Sequence, residues 1–464
     1  MASSSAIRVL HFSDVHIGIE NYGRLDPKTG LNTRLADFTA ALDQVVERGL
    51  AGDVDLVLFT GDAYRSRDPN PTHQREFARR IHRLSRAGVP VFLLVGNHDL
   101  PAATGRANSV DIFETLEVPN VYVGRRPKTI RIETAHGPIQ IVAVPWLVQS
   151  MLFAREEVRE LTINQVKTRV ADWTANYIAD SANALDRGVP AILTAHLVVM
   201  GATYGSESST TVGQELVLPK SVVANMAFDY VALGHIHKHQ KISDLPLTIY
   251  AGSIERVDFG EEKEKKGYVI ADVERGGATY RFEETNAREF LTIRVDALEE
   301  PPTQAALREI AAVTIAQKIV RVEITTTPEQ VGQIDYGEIR RALAGAYHLA
   351  GISKRTDDRD RSRVPDLAGL GPIDALRIFL QSRNTPADRV GPLLERGSRL
   401  IAGSASASAA TTAARDKSGS AKSSTPEAAA PNLVGDPDDE LDADSLSAPE
   451  EAPLESPAPP EASR

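Results

Sequence analysis

The stretch VPVFLLVGNHD, residues 89–99, joins an apolar run to a short polar one. The run VFLLV predicts a buried β-strand. Gly96, Asn97, His98 and Asp99 follow it directly, and Asn-His-Asp is poor material for continuing a strand. These residues therefore need another reason to stand there, and a loop that carries functional side chains at the end of a buried strand supplies one.

Around this stretch, short β-branched runs alternate with helical stretches over residues 7–275. Further strands are expected at IRVLHFSD, DLVLFTGD, IQIVAVPW, AILTAH, YVALGHI and LTIYAGS, and helices over about 35–50, 72–87 and 155–187. Such alternation is typical of a layered α/β domain, in which sheets are flanked by helices. We predict that this first domain covers residues 1–280.

The rest of the chain divides into four segments. Residues 288–350 repeat a strand, helix, strand, helix pattern, which predicts a small α+β domain. Residues 351–371 are polar and rich in helix breakers, which predicts a linker. Residues 372–401 hold two amphipathic helical patterns. Residues 403–464 are mostly Ala, Ser, Thr, Pro and acids, with too few apolar side chains to offset the entropy of ordering, so a disordered acidic tail is expected.

The absence of cysteine narrows the chemistry. It excludes disulfides, Cys-ligated zinc and thiol nucleophiles, and it leaves His, Asp, Glu and Asn as the metal ligands. No stretch approaches the ~18 uninterrupted apolar residues of a membrane span, and the N-terminus lacks the pattern of a secretion signal. We therefore expect a cytoplasmic protein with no membrane partner.

The net charge of −11 ordinarily argues against nucleic-acid binding. Residues 427–464, however, contain eleven acids and one arginine, so the remainder of the chain has a net charge of only −1. A part of the chain whose net charge is close to zero can still carry basic patches. The composition therefore permits DNA binding without indicating it.

Five polar blocks stand where apolar strands run into loops, the place where α/β proteins gather ligands. They are Asp14-Val-His16, Gly61-Asp62, Gly96-Asn97-His98-Asp99, Thr194-Ala-His196 and Gly234-His235-Ile-His237. The one-residue spacing in the first and last blocks puts two ligand side chains on one side of an extended backbone. The three glycines allow a sharp turn before each ligand. Carboxylate, imidazole and amide donors together suit Mn, Fe or Zn rather than an all-oxygen Ca or Mg cage.

Each block taken alone has an ordinary structural explanation. An Asp at a strand end usually caps or closes a turn, and a lone His such as His196 is usually a satisfied core or surface residue. Five blocks in one order, which include five of the eleven histidines, are much harder to explain in that way. The joint pattern therefore favours a metal centre.

The ordered set resembles the calcineurin-like metallophosphoesterase superfamily, whose pattern is D-x-H, G-D, G-N-H-D/E, H and G-H-x-H. The segments HFSDVHIG, GDAYRSRDPNP, HLVVMGATYGSE, FDYVALGHIHKHQ and YAGSIERVDFGEEKEKKGYVI resemble its SbcD family, the nuclease subunits of bacterial SbcCD DNA-repair complexes. The resemblance runs from about residue 7 to about residue 400. It implies a β-sandwich for the first domain. It also implies a duplex exonuclease and a hairpin or single-strand endonuclease that acts in double-strand-break processing.

Carried over residue by residue, the resemblance implies two divalent ions, Mn²⁺ in particular. The implied ligands are Asp14, His16 and His237 for one ion, Asn97, His196 and His235 for the other, and Asp62 as the bridge. His98 would contact the scissile phosphate or assist the leaving oxygen, and Asp99 would orient it. The alternative is that His98 fills a ligand site.

Basic residues near the blocks have two interpretations, a path for duplex DNA or ordinary solvated loop charges. They are Arg65, Arg67, Arg125, Arg126, Lys128, Lys238 and Lys241, of which Arg65, Arg67 and Lys238 are the candidate substrate contacts. Some relatives have a His linked to exonuclease chemistry where this chain has Arg65. The balance of exonuclease and endonuclease activity therefore stays open.

The resemblance also assigns the outer segments. The α+β unit would be a capping domain that shapes the DNA-binding surface, and the helix pair would dock the coiled coil of an SbcC-like ATPase in a heterotetramer with a nuclease homodimer. The apolar helix faces fit either a partner groove or packing against their own domain. The docking candidates are Leu376, Phe379, Leu380, Leu393 and Leu394.

Two rival functions remain. A phosphodiesterase or phosphatase of the same superfamily that acts on nucleotides, lipids or phosphoproteins would carry the same five blocks. Such an enzyme has no obvious use for the C-terminal domain and helix pair. A non-catalytic scaffold would ordinarily have lost ligands, and none of the family's ligands is missing here.

Overall fold

The computed structural model describes residues 6–101, 106–154, 158–205, 215–356, 371–382, 385–386 and 389–399. The chain divides into two compact units, residues 1–360 and 361–464. The first unit contains both the layered domain and the α+β domain. The acidic tail and most of the expected linker lie outside the described residues.

The strands of the described residues are β1 (Ile7–Phe12), β2 (Leu56–Phe59), β3 (Val91–Leu94), β4 (Val121–Gly124), β5 (Lys128–Thr134), β6 (Gly137–Val144), β7 (Ala191–His196), β8 (Val198–Val199), β9 (Val217–Leu218), β10 (Tyr230–Gly234), β11 (Gln240–Asp244), β12 (Leu247–Tyr250), β13 (Gly267–Glu274), β14 (Gly277–Glu284), β15 (Phe290–Ala297), β16 (Ile319–Thr326) and β17 (His348–Thr356). The helices are α1 (Thr33–Gly49), α2 (Pro71–Arg86), α3 (Asp111–Thr115), α4 (Gln149–Leu152), α5 (Ile163–Ala184), α6 (Lys220–Val223), α7 (Pro302–Ala311), α8 (Tyr336–Ala342) and α9 (Pro372–Ser382). Residues 389–399 are also helical. Within these described stretches, no helix is both long enough and apolar enough to cross a membrane.

Two six-stranded sheets form the first domain. Their strand orders are β14-β13-β1-β2-β3-β4 and β11-β12-β10-β7-β6-β5. Strands β1 to β4 are parallel in the first sheet, and β6, β7, β10 and β12 are parallel in the second. The carboxyl ends of parallel strands meet at one edge of a sheet, so the loops that follow them are gathered there. The predicted layered α/β fold is confirmed.

Alternation along the strands sorts apolar side chains into separate layers. In β1, Ile7 and Val9 belong to the core shared by the two sheets, whereas Leu10 and Phe12 pack with the apolar faces of α1 and α2. The outer face of the second sheet packs with α5 in the same way. Both faces of these strands are therefore buried, which is why they appear in the sequence as continuous apolar runs.

Local capping sets the helix starts. The Asn32 side chain accepts a hydrogen bond from the backbone of Arg34 at the start of α1, and Asn70 precedes α2, which has Pro in its first turn. Helix α5 begins after Thr162, which forms a reciprocal capping box with Gln165. The helix that was expected from about residue 155 therefore begins later, at Ile163.

The α+β domain contains the three-stranded parallel sheet β15-β16-β17, covered by α7 and α8 around a separate apolar core. Strand β17 was not expected. Its last six residues are the first six of the stretch predicted to be a linker. Most of its side chains are half-buried or exposed. The sequence HLAGISKRT therefore lacks the apolar alternation by which a strand is recognised.

A segment of the first domain fastens the α+β domain in place, and we call residues 258–266 the strap. The ring of Phe259 packs edge to face on that of Phe290, with centroids 4.9 Å apart. The guanidinium of Arg321 lies over the Phe259 ring, 4.3 Å from its centroid. The Glu262 carboxylate accepts hydrogen bonds from the backbone N and the Oγ1 of Thr292. The strap thus contacts the α+β domain through one aromatic ring and one carboxylate.

The second unit contains α9 and the helix at 389–399. A Cβ at Gly397 would collide with the side chain of Leu376, so the two helices touch at this point. Exposure divides the five expected docking residues into a buried Leu380, half-buried Leu376 and Leu394, and exposed Phe379 and Leu393. The exposed fractions are 46% for Phe379 and 41% for Leu393.

Candidate metal centre

The loops after five parallel strands meet at one edge of the sandwich. The residues concerned are Asp14 and His16 after β1, Asp62 after β2, Asn97 after β3, His196 at the end of β7, and His235 and His237 after β10. All seven are buried. The structure therefore brings the five sequence blocks into one buried site.

One group of side chains consists of Asp14, His16 and His237. Their ligand atoms lie within 4.8 Å of one another. Nε2 of His16 lies 2.9 Å from Nε2 of His237, so the two imidazoles face each other. Both carboxylate oxygens of Asp14 lie 3.2 Å from the backbone N of His235, which ties this group to the loop that carries the second one.

The second group consists of Asn97, His196 and His235. Oδ1 of Asn97 lies 3.0 Å from Nε2 of His196 and 3.1 Å from Nδ1 of His235. Oδ2 of Asp62 lies 3.4 Å from Nε2 of His196 and 3.8 Å from Nε2 of His16. One carboxylate oxygen thus stands between the two groups, which is the position that a bridging ligand needs.

The hydrogen bonds at the back of the imidazoles fix which nitrogen faces the site. Nδ1 of His196 lies 2.7 Å from the carbonyl oxygen of Thr60, and Nδ1 of His237 lies 2.7 Å from Oε1 of Glu261. A ring nitrogen that faces an acceptor carries the proton, so in the neutral form of each ring Nε2 presents its lone pair to the site. Nδ1 of His16 is buried and has no hydrogen-bond partner among the described residues. This donor set fits a pair of divalent cations.

The electrostatics of the cluster favour an anionic bridge. Burial alone would raise the pKa of Asp62, but the imidazoles of His196, His98 and His16 hold it well below its usual range. Burial and the neighbouring His237 lower the pKa of His16, which keeps that ring neutral. Burial also opposes protonation of His196, yet Asp62 and Asp14 raise its pKa to about 9. A metal ion ligates the neutral ring, so cation binding at His196 would release a proton.

Backbone conformation, rather than strand geometry, aims several of these side chains. Asp14, His16, Asp62 and His235 have φ of 52°, 51°, 63° and 93°. Non-glycine residues rarely adopt such values, which cost ~1–3 kcal/mol each and cluster at functional sites. The expectation that Asp14 and His16 share one side of an extended backbone was wrong, because β1 ends at Phe12 and both residues are left-handed.

Close approach explains the glycines that precede the ligands. At Gly61, which has a φ of 105°, a Cβ would collide with the ring of His196, and at Gly96 it would collide with Asp62. The predicted glycine turn holds only for Gly61. Gly96 and Gly234 do not have positive φ, and they are needed because other atoms occupy the space of a side chain.

His98 lies half-buried beside the first group. Its backbone N donates to Oδ1 of Asp62 at 2.8 Å, and its ring stands edge-on to that of His16 with centroids 5.0 Å apart. Nδ1 lies 2.9 Å from the carbonyl oxygen of Arg65. Arg65 therefore orients His98 through its backbone, while its side chain is exposed.

Asp99 does not orient His98, which corrects the expected role. Its carboxylate is fully buried and accepts hydrogen bonds from the backbone N of Asp62, Ala63 and Gly96 at 2.8, 2.9 and 2.9 Å. Burial and the Asp62 charge raise the pKa of Asp99 to about 7. Asp99 therefore fastens the loop of Asp62 to the loop of Asn97.

The sequence interpretation missed Glu261 and Lys266. Glu261 receives the Nδ1 hydrogen bond of His237, and its Oε2 lies 2.9 Å from Nζ of Lys266. Burial would raise the pKa of Glu261, but Lys266 and His237 hold it well below the usual range. Both residues belong to the charge run EEKEKK at 261–266, and such runs are usually solvated. Two signals were usable: the run lies inside the segment YAGSIERVDFGEEKEKKGYVI that carries the family resemblance, and strand β13 begins directly after it.

Glu215 and Trp146 were also missed. Oε1 of Glu215 lies 3.2 Å from Nε2 of His235, and its Oε2 accepts a hydrogen bond from Tyr204. The indole of Trp146 packs against the His235 ring, with centroids 5.0 Å apart. Trp146 closes the expected strand IQIVAVPW, so its position after a strand end, like that of the five blocks, was a usable signal.

The basic residues fall into separate places. Arg67, Arg125 and Arg126 line one cleft of about 650 Å³. Arg125 lies 3.4 Å from Glu114, so its charge is partly balanced. Lys238 lines a different cleft of about 500 Å³ together with Lys263 and His239. Lys128 lies on β5 and Lys241 on β11, where Lys241 pairs with Asp244 at 2.6 Å.

Comparison with known proteins gives a family and a set of distant relatives. The family model described as calcineurin-like phosphoesterase matches residues 7–239. A "DNA double-strand break repair protein Mre11" from Methanosarcina acetivorans is 26% identical over 369 residues, which cover 78% of this chain and 52% of the relative. The protein of the same name from Haloferax volcanii is 26% identical over 376 residues, covering 80% of this chain and 73% of the relative.

A bacterial relative is SbcD of Escherichia coli K12, a subunit of the nuclease SbcCD. It is 24% identical over 259 residues, which cover 55% of this chain and 62% of the relative. The chain thus spans about half the length of the Methanosarcina relative and less than two thirds of the Escherichia coli one.

Proposed function

The chain belongs to the calcineurin-like phosphoesterase family, and on that premise we propose that it is a metal-dependent DNA nuclease that hydrolyses phosphodiester bonds at a two-metal centre. The observation that carries the proposal is the position of Asp62 between two groups of buried donors. We infer that Asp14, His16 and His237 hold one ion, that Asn97, His196 and His235 hold the other, and that Asp62 bridges them. The mixture of imidazole, carboxylate and amide donors suits Mn, Fe or Zn, and the family resemblance favours Mn²⁺ among them.

The bound ions would supply an activated water and neutralise charge on the phosphodiester during in-line displacement. The chain's own residues hold and orient this machinery. The Asp62 carboxylate stays anionic between the two groups. His98, whose Nδ1 is held by the Arg65 carbonyl, has Nε2 available to contact the phosphate or to protonate the leaving oxygen.

DNA is the substrate we favour over nucleotides, lipids or phosphoproteins. The relatives that align with most of this chain are named for DNA double-strand-break repair, and a further one is named as part of a nuclease. A small-molecule phosphodiesterase has no evident need for an α+β domain and a helix pair. Duplex ends, hairpins and single strands are the DNA forms we expect it to cut, and Arg65, Arg67 and Lys238 are the candidate phosphate contacts.

The proposal includes a partner and a location. We infer that the helix pair docks the coiled coil of an SbcC-like ATPase, that the nuclease chains pair, and that the assembly works in the cytoplasm. The exposed Phe379 and Leu393 offer apolar surface for such docking. The α+β domain would cap the nuclease domain and extend the surface that contacts DNA.

The test combines metal content with cleavage for one matched pair of variants. Asp62→Asn removes the bridging charge, whereas Asp68→Asn removes an exposed carboxylate from the same loop. With Mn²⁺, we expect the full-length wild type and Asp68→Asn to bind two ions per chain and to cut duplex, hairpin and single-stranded DNA. Asp62→Asn should bind fewer ions and lose cleavage.

Two results would overturn the proposal in different ways. Hydrolysis of bis(p-nitrophenyl) phosphate without cleavage of any DNA would indicate a phosphodiesterase with another substrate. Two bound ions without hydrolysis of either would indicate a non-catalytic scaffold.

A further inference from the structure

A cleft of about 510 Å³ opens beside the metal centre. Asn97 and Glu215 are among its lining residues, and these are a proposed ligand and the carboxylate that contacts the proposed ligand His235. Its walls are mostly aliphatic, and they include Leu161, Val166, Val170 and Leu216. The cleft thus shares an edge with the proposed site of hydrolysis.

The chemistry of the walls limits what can occupy the cleft. Aliphatic side chains cannot replace the water around a phosphate, so an anionic group would be unfavourable against this aliphatic part of the wall. An occupant needs an apolar face. Because the cleft opens onto Asn97, an occupant that belongs to the substrate is the group attached to the phosphate held at the metal centre.

Polar groups and one aromatic ring also line the cleft. Gln149, Lys167 and Arg67 lie there together with the indole of Trp146. The indole is held in place by its contact with the His235 ring, so it offers a fixed aromatic surface. A nucleobase combines a flat apolar face with a hydrogen-bonding edge, and the phosphate of the next nucleotide would suit the two basic side chains.

We propose, on the basis of the proposed nuclease function, that this cleft binds the unstacked base of the nucleotide next to the scissile phosphodiester. The volume lies within the range of small-molecule pockets, roughly 300–1,000 Å³. A base inside the cleft has left its stack, so a single strand, a hairpin loop or a frayed end reaches the metal centre more readily than an intact duplex. The cleft would thereby select the structure of the DNA rather than its sequence.

The test uses single-stranded oligonucleotides that carry one abasic position, moved along the strand in steps. With Mn²⁺ and the full-length chain, we expect cleavage at the phosphodiester next to the abasic position to fall by about tenfold or more, as loss of one stacked base implies. Cleavage at the other positions should be unchanged.

Two variants of one residue and a matched control place the effect in the cleft. Val166→Asp puts a charge on the wall, and Val166→Phe fills the space while keeping an apolar contact should the first variant fold poorly. Both should slow cleavage of the ordinary strand and remove the dependence on the abasic position. Thr168→Asp, on the exposed side of the same helix α5, should behave as the wild type.

Equal cleavage by the wild type at abasic and ordinary positions would overturn the inference while leaving the nuclease proposal intact. The same holds if both Val166 variants keep the wild-type preference. Failure of the wild type to cut any of these strands would instead overturn the proposed function, and this inference with it.

Discussion

Glu261 and Lys266 form an ion pair in which neither side chain is exposed, with Oε2 of Glu261 2.9 Å from Nζ of Lys266. Removal of two charges from water is costly, so such a pair is weak evidence for stability by itself. The position of the ion pair behind His237 explains its presence better. The other oxygen of Glu261 holds Nδ1 of His237 at 2.7 Å, and the lysine charge holds the pKa of that carboxyl low, so it stays ionised as an acceptor.

The first prediction concerns this pair. Glu261→Gln keeps the shape but weakens the acceptor behind His237, so Mn²⁺ affinity should fall by about 10–100-fold, the usual effect of losing a group that orients a metal-binding histidine. Mn²⁺ electron paramagnetic resonance titration measures this without turnover. Glu264→Gln is the control, because Glu264 accepts from the same lysine at 2.8 Å, whereas the Nδ1 hydrogen bond of His237 goes to Glu261. Equal losses in both variants would contradict an orienting role.

The second prediction separates binding from chemistry at His98. His98→Ala should keep both metal ions and DNA binding but lose cleavage by about 10²–10⁴-fold, the typical contribution of a positioned acid. Metal content and single-turnover cleavage are to be measured on the same sample. His82→Ala, an exposed histidine on α2, should leave both unchanged. A parallel drop in metal content would mean that His98 is a ligand.

The third prediction concerns Asp99, whose buried carboxylate binds three backbone N–H groups. Asp99→Asn replaces an acceptor by a group that is half donor, which leaves buried N–H groups without partners at a cost of about 1–3 kcal/mol or more. Urea denaturation should show this loss of unfolding free energy. Asp111→Asn is the control, because among the described residues the Asp111 carboxylate accepts hydrogen bonds from Asn108 alone and its 3.9 Å pair with the exposed Arg125 is weak, so its loss should cost less. If Asp99→Asn keeps its unfolding free energy but loses cleavage, Asp99 acts in the chemistry, as in the expected role of orienting His98, rather than in holding the loops.

The fourth prediction concerns pH and His11, which is fully buried between Tyr230 and Thr60. Burial, with a smaller effect of His239, lowers its pKa to about 3. The unfolded chain, with an ordinary pKa of about 6.5, therefore binds a proton that the folded chain excludes, and stability is lost as the pH falls through this window. Between pH 7 and pH 5 this residue should account for about 2 kcal/mol of lost unfolding free energy. His11→Gln should flatten the profile by that amount, and an unchanged profile would show that the ring titrates normally.

The fifth prediction concerns the helix pair. Phe379→Asp combined with Leu393→Asp places two charges on exposed apolar positions and should abolish co-purification with an SbcC-like ATPase. Metal-dependent nuclease activity of the isolated chain should remain. Truncation after Gly403 is the control, since the acidic tail offers almost nothing to bury, and it should leave binding intact. Normal yield of the complex with the double variant would show that the dock lies elsewhere.

The sequence was most informative where local pattern and topology agree. Continuous apolar runs such as VFLLV predicted the buried parallel strands, and parallel strands necessarily gather their following loops at one edge. Asp62 and Asn97 were thus expected in one site before the structure placed them there. Separate polar blocks form one site only when their loops are arranged together. The order of the five blocks along the sequence already indicated that arrangement.

The rest depended on contacts between distant parts of the chain. The Asp99 carboxylate binds backbone N–H groups 36 and 37 residues away, and no sequence pattern records such a bond. Lys266 lies in a run of charges that is indistinguishable from a solvated surface until its burial is seen. Strand β17 lies at the edge of its sheet, and because its residues are half-buried or exposed, they do not alternate between apolar and polar. The left-handed conformation of Asp14 and His16 accompanies backbone hydrogen bonds from these residues to Gly61 and Asp62, which lie in a distant loop of the chain.

The strap has a thermodynamic consequence. Within nine residues it contacts the α+β domain through Phe259 and Glu262, and the proposed ligand His237 through Glu261. The strap therefore provides a route by which a displacement of the α+β domain would change the cation-binding affinity of the proposed centre. Coupling of this kind is reciprocal. If a macromolecule bound to the α+β domain changes the cation affinity by some factor, the bound cation changes the affinity for that macromolecule by the same factor.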